Sequence, residues 1–87
     1  MRRIEWTTAF NRDFKKIGTL ESSFVEALWK LANDELLPEK FRDHELKGEW
    51  KGFRDCHIRP DLILIYRRPS ADRLQLVRLG SHSELGL

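Results

Sequence analysis

The sequence predicts an α+β fold of the order β-α-α-β-β-β, in which two helices pack on one face of a small antiparallel sheet. In the first half, apolar residues recur at helical spacing. In the second half, short runs rich in β-branched and aromatic residues alternate with turn residues. Strands joined by short turns usually pair antiparallel. With 87 residues, the chain is expected to form a single domain, 1–87.

The N-terminal third is predicted to hold a short strand and the first helix. Ile4 and Trp6 alternate with charged neighbours, as in a strand exposed on one side. Thr7 or Thr8 can cap the helix that follows, and Gly18 is placed to end it. The strand should therefore lead directly into the helix.

A second helix is expected to begin at Thr19 or Ser22 and to end at Pro38. Its apolar stripe should pack on the inner face of the strand 62–66, because the chain offers no other large apolar surface. Three strands then follow, with a hairpin turn at Pro60 and Asp61 between the first two. The stripe includes Phe24, Leu28 and Leu31, and the strands are FRDCHIR, LILIYRR and RLQLVRLG.

The charge is unevenly distributed along the chain, although the net charge is only +2. Acidic residues are concentrated in the first half and arginines in the second, so a polyanion is expected to bind the C-terminal half. The single cysteine, Cys56, cannot form an internal disulfide and is expected to be a small buried apolar residue. Without an export signal or a run of 18 apolar residues, the chain is expected to be cytoplasmic.

Several titratable residues surround the first strand of the predicted hairpin. Strand alternation places Asp55 and His57 on one face, where both are expected to open to solvent in a shared cleft. Asp61 follows the turn, His44 precedes the strand, and His82 follows the last strand. We expect these five side chains to converge at one end of the sheet.

Such a cluster suits RNA cleavage by the substrate's own 2′-hydroxyl. That reaction needs a base for the hydroxyl proton, an acid for the leaving oxygen, and cations near the phosphorane. Histidine can serve as acid or base at neutral pH, so no metal or cofactor is required. The nearby side chains expected to contact RNA are Lys47, Lys51, Arg54 and Arg59 at the phosphates and Trp50 as a stacking ring.

Each of these residues also has an ordinary structural interpretation. Asp61 can simply cap the turn, and Asp55 can pair with Arg54 or Arg59 across the hairpin. Trp50 can belong to the core, and charged residues on an edge strand often serve only to block pairing with another strand. Taken alone, the residues support a polyanion-binding site better than they support an enzyme.

The segment DHELKGEWKGFRDCHIRPDLILIYR, followed by LGSHSEL, closely resembles the YafQ branch of the RelE/ParE superfamily of bacterial toxins. The resemblance covers nearly the whole chain and implies a RelE-like fold. It also implies a toxin of a type II toxin–antitoxin pair that enters the ribosomal A site and cuts translated mRNA without metal, leaving a cyclic phosphate. The implied partners are a cognate antitoxin, the ribosome and mRNA.

Matched motif by motif, the resemblance implies five catalytic residues: His44, Asp55, His57, Asp61 and His82. The chain departs from the family pattern after the last histidine. The family usually has an aromatic residue there, whereas this tail ends in Leu85, Gly86 and Leu87. The loss of a stacking ring would weaken cleavage.

Two other functions are compatible with parts of the pattern. A ParE-like toxin would share the fold but act on DNA gyrase by binding alone, and the His and Asp set argues against it. A metal-dependent hydrolase would use His44, His57 and His82 with Asp55, but no HxH or HExxH spacing is present. The endoribonuclease is therefore the leading hypothesis.

Overall fold

The computed structural model describes all 87 residues. Eight helices and strands form the fold, and single 3-10 turns at Glu39–Phe41 and Gly48–Trp50 punctuate the loops. In chain order the elements are β1 (Arg3–Trp6), α1 (Thr8–Ile17), α2 (Ser22–Ala32), β2 (His44–Glu45), β3 (Arg54–Arg59), β4 (Leu62–Ser70), β5 (Arg73–Gly80) and α3 (His82–Leu85). The α+β class is confirmed, while β2 and α3 were not predicted.

The five strands form one mixed sheet in the order β1-β5-β4-β3-β2. β3, β4 and β5 pair antiparallel through short turns, as expected. β1 instead pairs parallel with β5, with Ile4 opposite Leu74 and Trp6 opposite Leu76. The predicted antiparallel pairing does not extend to β1, because the chain leaves β1 through two helices and the short-turn rule does not apply to it.

The ends of the helices follow local sequence signals, with one exception. Thr7 caps α1 by accepting a hydrogen bond from the Phe10 N–H at 3.0 Å. Gly18 ends α1 in the left-handed conformation, with φ 72°. The exception is α2, which stops at Ala32 rather than at Pro38. The positive φ of 58° at Asp34 shows that the chain has already left the helix by that point.

The main core lies between the sheet and the helices α1 and α2. Phe24, Ala27 and Leu31 of α2 are buried in it, whereas Leu28 is only partly buried at its border. Cys56 is fully buried in the same core, as predicted, and burial raises the pKa of its thiol. On the sheet, α2 lies against β3 and β5, and the core side chains of β4 are Leu62, Leu64 and Tyr66.

A second, smaller apolar cluster covers the outer face of the sheet, which is the face opposite the helices. This outer cluster consists of Ile63 and Ile65 from β4 and Leu85 from α3. The side chains of Leu46, Trp50 and Phe53 pack against it from the loop before β3. The structure therefore has a partial third layer, formed by α3 and this loop, in addition to the two layers that were predicted.

A buried carboxylate connects α1 to β5. Asp13 accepts hydrogen bonds from the Arg78 Nε at 2.7 Å and from the Leu79 N–H at 2.9 Å. Burial alone would raise the pKa of Asp13, but these donors outweigh it and the pKa is lowered. Asp13 therefore remains ionised and holds the helix to the sheet.

Several apolar side chains remain exposed around the edge strand β1 and the helices. Trp6 and Trp29 are each 60 % exposed, and Leu20 is exposed nearby. They border an apolar surface that continues to Ile4 and Leu28. None of the helices is long and apolar enough to cross a membrane.

We expect Leu31→Ala to lower the free energy of unfolding by about 2–5 kcal/mol, because it empties a fully buried site in the main core. Leu28→Ala should cost less, because Leu28 already contacts solvent. Urea unfolding of both variants measures the difference. Equal losses would contradict the packing described here.

Candidate active site

Asp55 and His57 lie on the outer face of β3, as strand alternation predicts. Their partners on β4 are Ile65 and Ile63, both members of the outer cluster. Asp55 is only 3 % exposed, so the expectation that its side chain opens to solvent was wrong. The reason is the short strand β2, which places His44 directly opposite Asp55. His57 remains partly exposed.

The ring of His44 is held in one orientation. Its Nδ1 lies 2.9 Å from the Arg42 carbonyl oxygen and 3.0 Å from Asp55 Oδ1. A carbonyl oxygen can only accept, so Nδ1 carries the proton and Nε2 is left free. The Nδ1 proton is directed at Arg42, because Asp55 Oδ1 has no hydrogen-bond partner despite the short distance.

Asp55 is therefore a buried carboxyl with an unpaired oxygen. Burial raises its pKa, and the three histidines lower it only in part. Asp43 adds a small effect that also raises the pKa. The carboxyl consequently takes up a proton more readily than an ordinary aspartate does.

His82 is held by Asp61 at the opposite end of the cluster. Asp61 Oδ1 accepts from the His82 backbone N–H at 3.0 Å and lies 2.8 Å from its Nδ1. These contacts lower the pKa of Asp61, the backbone hydrogen bond most of all, so Asp61 stays ionised. With Nδ1 bound to the carboxylate, the His82 Nε2 is free for proton transfer.

His57 connects the two halves of the cluster. Its ring centroid lies 5.2 Å from that of His82, and Asp55 is two residues away on the same face. Burial lowers the pKa of His57 more than Asp55 raises it, and His82 and Arg42 lower it further. The structure thus brings together all five predicted residues: His44, Asp55, His57, Asp61 and His82.

The side chains predicted to contact RNA lie in different surroundings. Lys47 and Lys51 are exposed and have no carboxylate partner. Arg54 pairs with Asp43 at 3.3 Å and with Glu45 at 3.6 Å, and Arg59 pairs with Glu21 at 2.8 Å. Trp50 is half-buried and contacts the edge of Phe53, with 5.4 Å between ring centroids.

The tail occupies the region next to Trp50. Leu85 is buried in the outer cluster, Gly86 ends α3 with φ 71°, and Leu87 lies beside the groove that Trp50 lines. The tail thus supplies aliphatic groups here and no aromatic ring.

The sequence reasoning missed two residues beneath the site, Asp43 and Tyr66. Tyr66 is fully buried, and its hydroxyl donates to Asp43 Oδ1. Burial and Asp43 both raise the pKa of this hydroxyl, which therefore stays protonated. Because Arg54 also binds Asp43, the residue immediately before His44 is fixed from two sides. The visible signal was a tyrosine at the end of the aliphatic run LILIY.

The backbone next to His44 is strained. Arg42 has φ 48°, in the left-handed region that residues other than glycine rarely adopt. Its carbonyl oxygen accepts the hydrogen bond from the His44 Nδ1–H. No group of three or more His, Cys, Asp or Glu side chains is arranged to hold a metal ion.

Comparison with known proteins identifies the family. A family model described as a bacterial toxin of type II toxin–antitoxin system, YafQ, matches residues 2–86. The chain belongs to the YafQ family. This YafQ-family toxin is 37 % identical to a putative toxin YafQ of Haemophilus influenzae, over 98 % of this chain and 92 % of that protein. It is 35 % identical to the mRNA interferase toxin YafQ of Escherichia coli K12, over 97 % and 95 %.

Solved structures agree with this assignment. A copper-bound mutant toxin from Helicobacter pylori shares 44 % identity and gives a TM-score of 0.90, covering 98 % of this chain and 99 % of that one. In the E. coli DinJ-YafQ complex, the matching chain shares 34 % identity with a TM-score of 0.81, covering 98 % of each chain. The RelE-like fold implied by the sequence is thereby confirmed.

We expect Asp43→Asn to lower the rate of RNA cleavage by about 10-fold to 100-fold, because a loosened loop misplaces His44. The variant should also lose the fixed Nδ1–H tautomer of His44, which imidazole ¹⁵N NMR detects. KM should change less than kcat.

Asp13→Asn is the matched control, because Asp13 is also a carboxylate bound to an arginine, in a more buried position than Asp43. Both variants should lose about 1–3 kcal/mol of stability, but only Asp43→Asn should affect His44. An equal loss of cleavage in both variants would show that Asp43 affects cleavage only through the general stability of the fold.

Proposed function

We propose that this toxin is a ribosome-dependent endoribonuclease that cuts translated mRNA in the ribosomal A site. The observation that carries the proposal is the gathering of three histidines and two carboxylates on the outer face, with the Nε2 atoms of His44 and His82 left free. The E. coli relative named mRNA interferase toxin supports the same activity.

His57 is the proposed general base. The attack of the 2′-hydroxyl on the phosphate requires a group that accepts the hydroxyl proton near neutral pH. The lowered pKa of His57 keeps its ring neutral there, and the ring is partly exposed. A neutral imidazole nitrogen can take the proton directly.

His82 is the proposed general acid for the 5′-oxygen that leaves. Ionised Asp61 fixes the ring through Nδ1 and faces the positive charge that the ring carries when both nitrogens are protonated. Proton transfer to the leaving oxygen then occurs from Nε2. The His57 and His82 ring centroids lie 5.2 Å apart, so one ring can act on the 2′-hydroxyl and the other on the leaving oxygen of the same phosphate.

His44 stabilises the negative charge of the phosphorane when its Nε2 is also protonated and donates to a phosphate oxygen, and Asp55 favours that protonated ring. His44 presents Nε2 at the surface, while Asp55 lies beneath it and is too buried to bind a substrate strand. Asp55 therefore acts through the histidines around it and offsets their positive charge. The reaction needs no metal in this scheme, so cleavage is expected to persist in a chelator.

The proposed partners are translated mRNA, the ribosome and a cognate antitoxin. The E. coli relative forms a complex with DinJ, which supports an antitoxin for this chain. The exposed apolar surface around Trp6 and Trp29 is of the kind that a protein partner covers. Action on translating ribosomes would place the toxin in the cytoplasm.

Primer extension on a translated mRNA tests the proposal. In a reconstituted translation system, the wild-type toxin should produce new cuts at in-frame codons, with and without a chelator. No cuts, together with inhibition of DNA gyrase, would favour the ParE-like alternative. Cuts that vanish in a chelator would contradict the metal-independent scheme.

We expect His82→Ala to lower cleavage by about 100-fold or more, because it removes a positioned proton donor. Its melting temperature and antitoxin affinity should stay at wild-type values, because the His82 side chain is 46 % exposed and Leu85 anchors α3. Ser83→Ala, at the next exposed position of α3, is the matched control. Wild-type cleavage by a folded His82→Ala variant would exclude His82 from the catalytic set.

A further inference from the structure

A groove of about 390 Å³ lies where β4 extends past the start of β3. β3 begins at Arg54, which pairs with Tyr66, so the next residues of β4 have no neighbouring strand on that side. The groove reaches the outer face that carries the catalytic cluster, because Leu46 and Phe53 line it and both pack against the outer cluster. Its cationic lining residues are Lys51, Arg54, Arg67 and Arg68.

Arg67 differs from most arginines of this chain because it is held in place without an acidic partner. Its Nε donates to the Gln75 Oε1 at 2.6 Å, and its guanidinium lies 5.4 Å from the centre of the Phe53 ring. Both of these neighbours are neutral. By contrast, carboxylates pair with Arg2, Arg3, Arg54, Arg59, Arg73 and Arg78.

The rest of the groove adds positive charge. Lys51 and Arg68 have no carboxylate within ion-pair distance, and Arg68 lies 5.5 Å from the centre of the Tyr66 ring. Glu45 is the one acidic residue of the lining, and Arg54 already binds it at 3.6 Å. Lys51, Arg67 and Arg68 therefore form no ion pair, although Arg68 lies near enough to Asp34 to help lower the pKa of that carboxyl.

This arrangement is suited to phosphate. A guanidinium fixed by a neutral amide and a ring keeps its charge and its terminal N–H donors for an anion. Because its side chain is already ordered, binding costs less conformational entropy. Three cations without an ion-pair partner along one groove match the repeating charge of a nucleic-acid backbone better than they match a single small anion.

We propose that this groove binds the phosphodiester backbone of RNA beside the catalytic cluster, with Arg67 as its central contact. The proposal rests on the proposed function, since it takes RNA as the ligand. The backbone has two sources, the mRNA strand that is cut and the ribosomal RNA around it.

Two variants test Arg67 in different ways. Arg67→Gln removes the charge, whereas Gln75→Glu keeps Arg67 but gives it an anionic partner at the position of the present hydrogen bond. Arg12→Gln and Asn11→Asp are the matched controls. They make the same changes in net charge at exposed positions of α1, away from the groove.

Binding is measured to a short 2′-O-methyl oligoribonucleotide, which lacks the nucleophile and so is not cut, and to purified ribosomes. Arg67→Gln and Gln75→Glu should each weaken binding by about 5-fold to 10-fold. Arg67→Gln should also reduce the slope of log K against log salt by about 0.7 for a single-strand contact. Melting temperatures verify that all the variants are folded.

Weaker binding of the oligonucleotide assigns the groove to the mRNA strand, and weaker binding of ribosomes alone assigns it to ribosomal RNA. If neither binding changes, or if the α1 controls weaken both equally, the groove proposal is wrong. Cleavage by the wild-type toxin is scored separately. Its absence would refute the proposed function, while the binding results would still decide on the groove.

Discussion

The position of the site depends on the packing of Leu85 against the outer face of the sheet. Leu85 contacts Ile63 and Ile65, and this contact holds the four-residue helix α3 over β4. A helix this short is not stable by itself, so the buried leucine and the capping box of Ser81 and Glu84 must hold it. With α3 in place, the His82 ring lies beside His57, and Asp61 can bind it.

Two buried aspartates show how the same residue type serves opposite purposes in this fold. Asp13 receives two donors from Arg78 and one from the Leu79 backbone, and its pKa is lowered. Asp55 is buried as deeply, but one of its oxygens has no donor, and its pKa is raised. The first aspartate stabilises the contact of a helix with the sheet. The second is kept in an unsatisfied state beside three histidines, which is typical of functional sites.

Local signals in the sequence were sufficient for much of the fold. The Thr7 cap, the Gly18 stop and the period-2 pattern around Asp55 act over a few residues, and each is found where it was predicted. Strand alternation and chain position indicated the five residues that the structure brings together, and the resemblance to YafQ toxins then implied their catalytic role. Contacts between distant parts of the chain were not predictable in this way.

Three features illustrate that limit in physical terms. The parallel pairing of β1 with β5 joins segments about 70 residues apart, and no local pattern specifies it. The burial of Asp55 depends on β2, which is only two residues long. The bond from Tyr66 to Asp43 depends on the path of a loop. By contrast, the capping box of α3 is a local signal, S-x-x-E, that the sequence reasoning overlooked.

The central claim is that the histidines of the outer face activate the substrate's own 2′-hydroxyl. The most direct measurement is cleavage of an mRNA that carries a single 2′-deoxynucleotide on the 5′ side of the scissile phosphate, in a translating ribosome. We predict that this substitution abolishes cleavage at that site, while neighbouring sites are still cut and leave a cyclic phosphate. Cleavage at the wild-type rate next to the deoxynucleotide would show that a different nucleophile attacks, and it would contradict the account.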